Sequence, residues 1–262
     1  MNRYRALAVP LVAAILAAQP PQFDAASVQP NATGRGPLNT VELNLGRSVV
    51  RASRGGRFRV SGVPVTLLIQ VAYGMRDFQI AGTPSWANSD LYDISAKTQG
   101  NATFEQMQPM VGSLLTDRFQ LKFHRETRSM PVYELVAATG GLKIATPTGG
   151  TCVTFNPDIP PLPGLANICG VVRSANGRIE GYGVPMLKLI ELLTDRFDRT
   201  IVDKTGFTQT FDFDLNFTSD ELNSPGTSIS AALEERLGLR LQPAKGPVEV
   251  LVVDHLERPG AN

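Results

Sequence analysis

Arg57-Phe-Arg-Val-Ser-Gly-Val-Pro-Val-Thr-Leu-Leu-Ile-Gln70 returns 121 positions later as Arg178-Ile-Glu-Gly-Tyr-Gly-Val-Pro-Met-Leu-Lys-Leu-Ile-Glu191, with Gly62-Val63-Pro64 falling on Gly183-Val184-Pro185. The correspondence continues downstream. Tyr92-Asp93-Ile94 falls on Phe211-Asp212-Phe213, Asp117-Arg118-Phe119-Gln120-Leu121 on Glu235-Arg236-Leu237-Gly238-Leu239, and Pro131-Val132 on Pro247-Val248. A period of this length predicts a tandem duplication of one small α+β unit.

Periodicity orders the elements of each unit. Phe58 to Ser61 alternates as a strand, Pro64 opens a helix where its missing N–H is harmless, and Val65, Leu68, Ile69, Ala72 and Tyr73 recur at helical spacing. Gln79 to Ala81 and Leu91 to Lys97 read as strands across a Pro84-Ser85-Trp86 turn. Thr103 with Gln106 resembles a capping box opening a second helix to Arg118, which Pro109 should bend or delay. Leu121 to His124 and Val132 to Ala137 read as a closing pair of strands, with Met130-Pro131 as the turn between them. The second unit repeats the order with helices at Pro185–Phe197 and Ser228–Leu237 and a Gly246-Pro247 turn. The predicted fold class is α+β, a β-α-β-β-α-β-β unit twice over, with helix pairs packed on small mixed sheets.

The flanks complete the domain plan. Residues 1–18 join a basic start, Arg3 and Arg5, to an apolar run from Ala6 to Ala18, which predicts a secretory signal peptide. Residues 19–56 form an N-terminal extension with short strands at Phe23–Val28 and Val41–Leu45. The first unit covers 57–139 and the second 178–258; between them, 140–177 is a Pro/Gly-rich connector, and 259–262 is a tail. No segment after the leader is long and apolar enough to span a membrane. The compartment expected is secreted or periplasmic, and there Cys152 and Cys169 predict a disulfide that staples the connector.

Charge and motifs exclude several functions. Without Arg3 and Arg5, the 25 basic side chains fall to 23 against 24 acidic ones, too balanced for a nucleic-acid partner. Gly-x-Ser-x-Gly, Walker, HExxH and dinucleotide fingerprints are absent, so no catalytic residue and no cofactor is assigned. Carboxylates near Asp93 and Asp212 lack the calcium-loop pattern; no metal is assigned, and edge-strand charge accounts for them.

Candidate ligand-binding residues are few. His124 and Glu126 lie two apart on one strand, so they share a face as an acid–base pair does, although alternating polar residues on a solvated strand give the same pattern. Trp86, the only tryptophan, either anchors a ligand or plugs the end of a helix pair; Phe207 in the equivalent turn favours the plug.

Phe23-Asp24-Ala25-Ala26-Ser27-Val28-Gln29-Pro30, Phe78-Gln79-Ile80-Ala81-Gly82-Thr83-Pro84-Ser85-Trp86, Leu114-Leu115-Thr116-Asp117-Arg118-Phe119, His124-Arg125-Glu126-Thr127, Val202-Asp203-Lys204-Thr205-Gly206 and Gly246-Pro247-Val248-Glu249-Val250 form one combination. It resembles the uncharacterised soil-associated secreted family expanded in acidobacteria, a domain of unknown function. The resemblance implies export. Related domains fused to membrane sensor-peptidases imply envelope sensing or binding. The unit also resembles the short N-terminal domains of secretins and TonB-dependent receptors, an analogy of fold alone. The function expected is a non-catalytic binding module whose partner is an envelope protein or cell-wall component. The alternatives are a secreted enzyme acting on an extracytoplasmic polymer and a structural envelope component.

Overall fold

The computed structural model describes residues 20–31, 52–53, 56–100, 102–144, 147, 152–154, 167–175, 177–197, 199–218 and 228–260; the predicted leader and the Val41–Leu45 strand lie outside them. In chain order the elements are β1 (Ala25–Pro30), β2 (Ala52–Ser53), β3 (Arg57–Pro64), α1 (Val65–Tyr73), β4 (Ile80–Ala81), α2 (Trp86–Ser89), β5 (Leu91–Lys97), α3 (Phe104–Phe119) and β6 (Lys122–Ala137). After the connector come β7 (Val172–Ala175), β8 (Arg178–Pro185), α4 (Met186–Phe197), β9 (Ile201–Asp203), β10 (Thr210–Asn216), α5 (Ile229–Ala232, continued by a π turn over Leu233–Leu237) and β11 (Leu239–His255). The fold is α+β.

Local chemistry explains the boundaries. α1 starts after Pro64, which has extended backbone, and stops at Gly74, whose left-handed φ of 64° turns the chain so that Met75 N–H reaches the Gln70 carbonyl at 3.2 Å. α3 opens with the reciprocal Thr103/Gln106 cap. It continues through Pro109, which Phe104 to Gln108 precede in the same helix; the expected delay does not occur. Proline removes the donor for the Glu105 carbonyl, and exposed Glu105 lies in the first turn, where water can take that bond.

Two antiparallel sheets, β1-β5-β3-β2 and β10-β8-β7, flank a mixed sheet of order β4-β11-β6-β9. The mixed sheet corrects the sequence reading. Met130-Pro131 and Gly246-Pro247 do not turn the chain: β6 is one strand of 16 residues and β11 one of 17, paired antiparallel along their length with Met130 opposite Gly246. Proline is tolerated because its missing N–H faces away from the partner strand. Tyr133 N–H points to the β9 side, where it bonds the Thr200 carbonyl, so by alternation residue 131 faces that side too, short of where β9 begins pairing. Pro247 is placed the same way on the β4 side, two residues before Glu249, whose carbonyl receives Gln79 Nε2.

Because the ribbon is continuous, its ends serve different cores. Phe58, Leu68, Ile69, Met107, Leu115 and Phe119 build the first core, which Leu251 and Val253 of β11 complete. Ile179, Leu189, Leu193, Phe211, Leu215 and Leu237 build the second, which takes Leu135 of β6. The short strands agree: β4 adds parallel to β11 and β9 parallel to β6. Each half of the chain thus lends its closing strand to the other. Arg76, after α1, and Asp195 of α4 reinforce the junction with an ion pair of 2.6 Å, each side chain 19% exposed.

Candidate functional site

The repeated Gly-Val-Pro and aromatic-Asp motifs meet in space. Gly62 and Gly183 have left-handed φ values of 62° and 57°, and each sits at a bulge, where β3 slips against β5 and β8 against β10. The bulge turns the glycine N–H out of the ladder, and an aspartate takes it: Gly62 to Asp93 Oδ1 at 2.8 Å, Gly183 to Asp212 Oδ1 at 2.6 Å. The sequence pairs these aspartates but reads them as edge charge. What they do is satisfy an amide that the fold would otherwise strand.

Asp93 has two further donors, Ser61 Oγ at 2.5 Å and Asn31 Nδ2 at 2.8 Å. Burial alone would raise its pKa, but the bonds from Ser61, Asn31 and the Gly62 amide outweigh burial and hold the carboxyl below its ordinary value. A lowered folded pKa means that the stability it contributes is present above the unfolded value, near 4, and is lost as pH falls through the folded one. Asp93→Asn is expected to lose about 1.5–3 kcal/mol at neutral pH, the range for hydrogen bonds to a charged group. Its urea midpoint should also fall less than that of the parent between pH 7 and pH 3, and an unchanged acid limb would rule out this role for Asp93.

The disulfide Cys152–Cys169 is formed, with Cα atoms 5.0 Å apart. It packs on the second bulge: a Cβ on Gly183 would lie 3.2 Å from Cys152 Sγ, and Gly170 N–H bonds the Tyr182 carbonyl at 2.9 Å. Closing a loop of this length is worth about 3 kcal/mol in the chain-entropy model. The end of the connector also supplies β7, an edge strand on β8 that its neighbouring prolines and glycines conceal in the sequence.

Each residue singled out as ligand-binding has a partner of its own. His124 Nδ1 lies 2.8 Å from Asp254 Oδ1, with the His124 side chain 51% exposed, while Glu126 pairs with Arg128. Both sit on the solvated middle of the ribbon. Trp86 opens α2, packs half-buried on the first core, and carries the Arg258 guanidinium 5.0 Å above its ring. Arg258 Nε also donates to Asp90 Oδ2 at 2.8 Å. Beside this clasp lies an open cavity of about 430 Å³, lined by Asn31, Ser89, Asp90, Tyr92 and Arg258 among others. No three His, Cys, Asp or Glu side chains among the described residues are grouped to hold a metal, and no described helix is long and apolar enough to cross a membrane.

The two antiparallel sheets differ at one edge. β1 lies along β5, from Ala25 opposite Lys97 to Pro30 opposite Tyr92. Among the described residues no strand lies on the corresponding side of β10. Its inner side chains, Phe211, Phe213 and Leu215, are buried, whereas among the described residues no strand pairs with its outer backbone edge.

The profile of the family described as a protein of unknown function (DUF3738) matches residues 66–256. No curated protein and no solved structure matches the chain.

Proposed function

We propose that this chain, which belongs to the DUF3738 family of proteins of unknown function, is an exported, non-catalytic binding module of the cell envelope that takes a partner strand along β10. The observation that carries the reading is the contrast between sheets: β5 is covered by β1, and the equivalent edge of β10 has no described strand. An open edge offers backbone donors and acceptors to any extended segment, and burial of alternate side chains adds selectivity. The disulfide supports an oxidising compartment outside the cytoplasm, consistent with cleavage of a leader near residue 18. The two halves are read as tandem copies, 57–139 and 178–258, within the soil-associated secreted family. The partner is an envelope protein or a cell-wall component, with a sensing role in view.

The test is affinity capture with oxidised residues 19–262 against solubilised envelope proteins and cell-wall fragments. A partner should be retained, and retained less by Asn216→Pro. Phe217 N–H faces β8, where it bonds the Gly177 carbonyl at 2.7 Å, so the Asn216 amide faces outward and its loss spares β8. Shortening of the polymer fragments with no partner retained would replace the binding reading with the enzyme one.

A further inference from the structure

We infer that the segment accepted by β10 is an extended antiparallel peptide built like β1: small or aliphatic residues at alternate inner positions, then Pro-Asn, with the Asn amide donating to Asp212. This rests on the strand-acceptor reading of β10 and specifies its ligand.

The chain holds its own template. On the first sheet Ala26 and Val28 point inward, Val28 buried opposite Ile94 and Ala26 opposite Ala96, and the strand ends at Pro30 with Asn31 bonding Asp93. At the spacing that relates Asp93 to Asp212, Ile94 becomes Phe213 and Ala96 becomes Leu215. These bulkier residues leave room for small inner side chains, valine being the largest the template uses. The outward carboxylates have different tasks. Asp214 is held by Arg178 through two bonds of 2.9 and 2.7 Å and asks nothing of a ligand.

Asp212 is different. It has the bulge amide of Gly183, but Tyr182 stands where Ser61 stands in the first sheet, and among the described residues nothing takes the place of Asn31. A half-buried carboxylate is therefore left with spare acceptor capacity at the open edge. A side-chain amide arriving just after the paired strand fills it with the geometry already present at Asp93.

The probe is a fluorescent synthetic peptide of residues 23–31, Phe-Asp-Ala-Ala-Ser-Val-Gln-Pro-Asn, titrated by anisotropy into oxidised residues 19–262. Saturable binding is expected. It should weaken at least tenfold in Asn216→Pro protein, and equally for a peptide N-methylated at Ser27 and Gln29. Asn31 N–H bonds the Leu91 carbonyl at 2.8 Å, so those two amides share the side that faces the receiving strand. A peptide with Asn31→Asp should bind at least tenfold more weakly, because it sets carboxylate against carboxylate, and Asn31→Ala should bind severalfold more weakly. If all three peptides bind alike yet lose affinity in Asn216→Pro, the Asn–Asp212 contact is overturned while the edge reading stands. If neither these peptides nor an alternating Val-Thr strand peptide binds, the edge reading falls as well. Self-association of the protein through β10 that the peptide cannot compete away would make a second copy the occupant and overturn the peptide assignment.

Discussion

Severed between Gly150 and Thr151, the chain is expected to give two halves that do not fold as monomers and that recover the native structure only together. The first half would lack Val248, Val250, Leu251 and Val253, all buried in the intact chain, together with the strand on which β4 pairs. Four such side chains at about 1.5–3 kcal/mol each compare with a whole-domain stability of about 5–15 kcal/mol. The second half would lack buried Val132 and Leu135 and the partner of β9. Size-exclusion chromatography with light scattering and thermal melts followed by circular dichroism decide the matter. Each half alone should be loosely packed or form a homodimer that exchanges ribbons, and mixing them should restore a 1:1 complex with a cooperative melt. A monomeric first half that melts near the temperature of the intact protein would mean that the exchanged strands are dispensable.

This exchange shows where the sequence is readable and where it is not. β5 is found at Leu91–Lys97 because alternation there matches a face buried on one side. Thr103 and Gln106 identify the start of α3 because a cap is local chemistry. The middle of the ribbon is invisible for a physical reason. From His124 to Ser129 it touches neither core, so it carries charges on both faces and cannot be told from a loop. Nor does Val248 to Val253 disclose which core it enters, since its alternation is the same whether it closes its own half or the other. At the sites, the sequence brings Asp93 and Asp212 into register, but their task depends on a bulge whose only trace is the repeated Gly-Val-Pro. His124 and Glu126 share a strand, yet His124 bonds Asp254 on the neighbouring strand, a contact that spacing along one strand does not encode, and Glu126 pairs with Arg128 instead.

One aligned pair of residues should respond in opposite directions. Gln120 and Gly238 occupy the same place, just past a helix and before a long strand, and both are left-handed, with φ of 52° and 62°. At 238 the chain leaving β6 doubles back over the helix end: Lys143 N–H bonds the Leu237 carbonyl, and Ala138 N–H bonds the Gly238 carbonyl. A Cβ there would stand 2.0 Å from the Gly141 carbonyl oxygen and 2.9 Å from Lys143 N, both backbone, so the segment would have to move. Gly238→Ala is expected to cost about 3–5 kcal/mol, left-handed strain of about 1–2 kcal/mol plus displacement of the crossing segment. At 120 the side chain is exposed and Nε2 donates to the Asp117 carbonyl at 3.0 Å, which offsets part of the same strain. Gln120→Gly removes the strain and that exposed bond together, so a gain of about 0.5–1 kcal/mol is expected. Urea denaturation of both variants provides the comparison. A loss at 238 no larger than the gain at 120 would mean that left-handed strain alone sets both effects, and a loss at 238 well beyond that gain places the excess in the segment that crosses it.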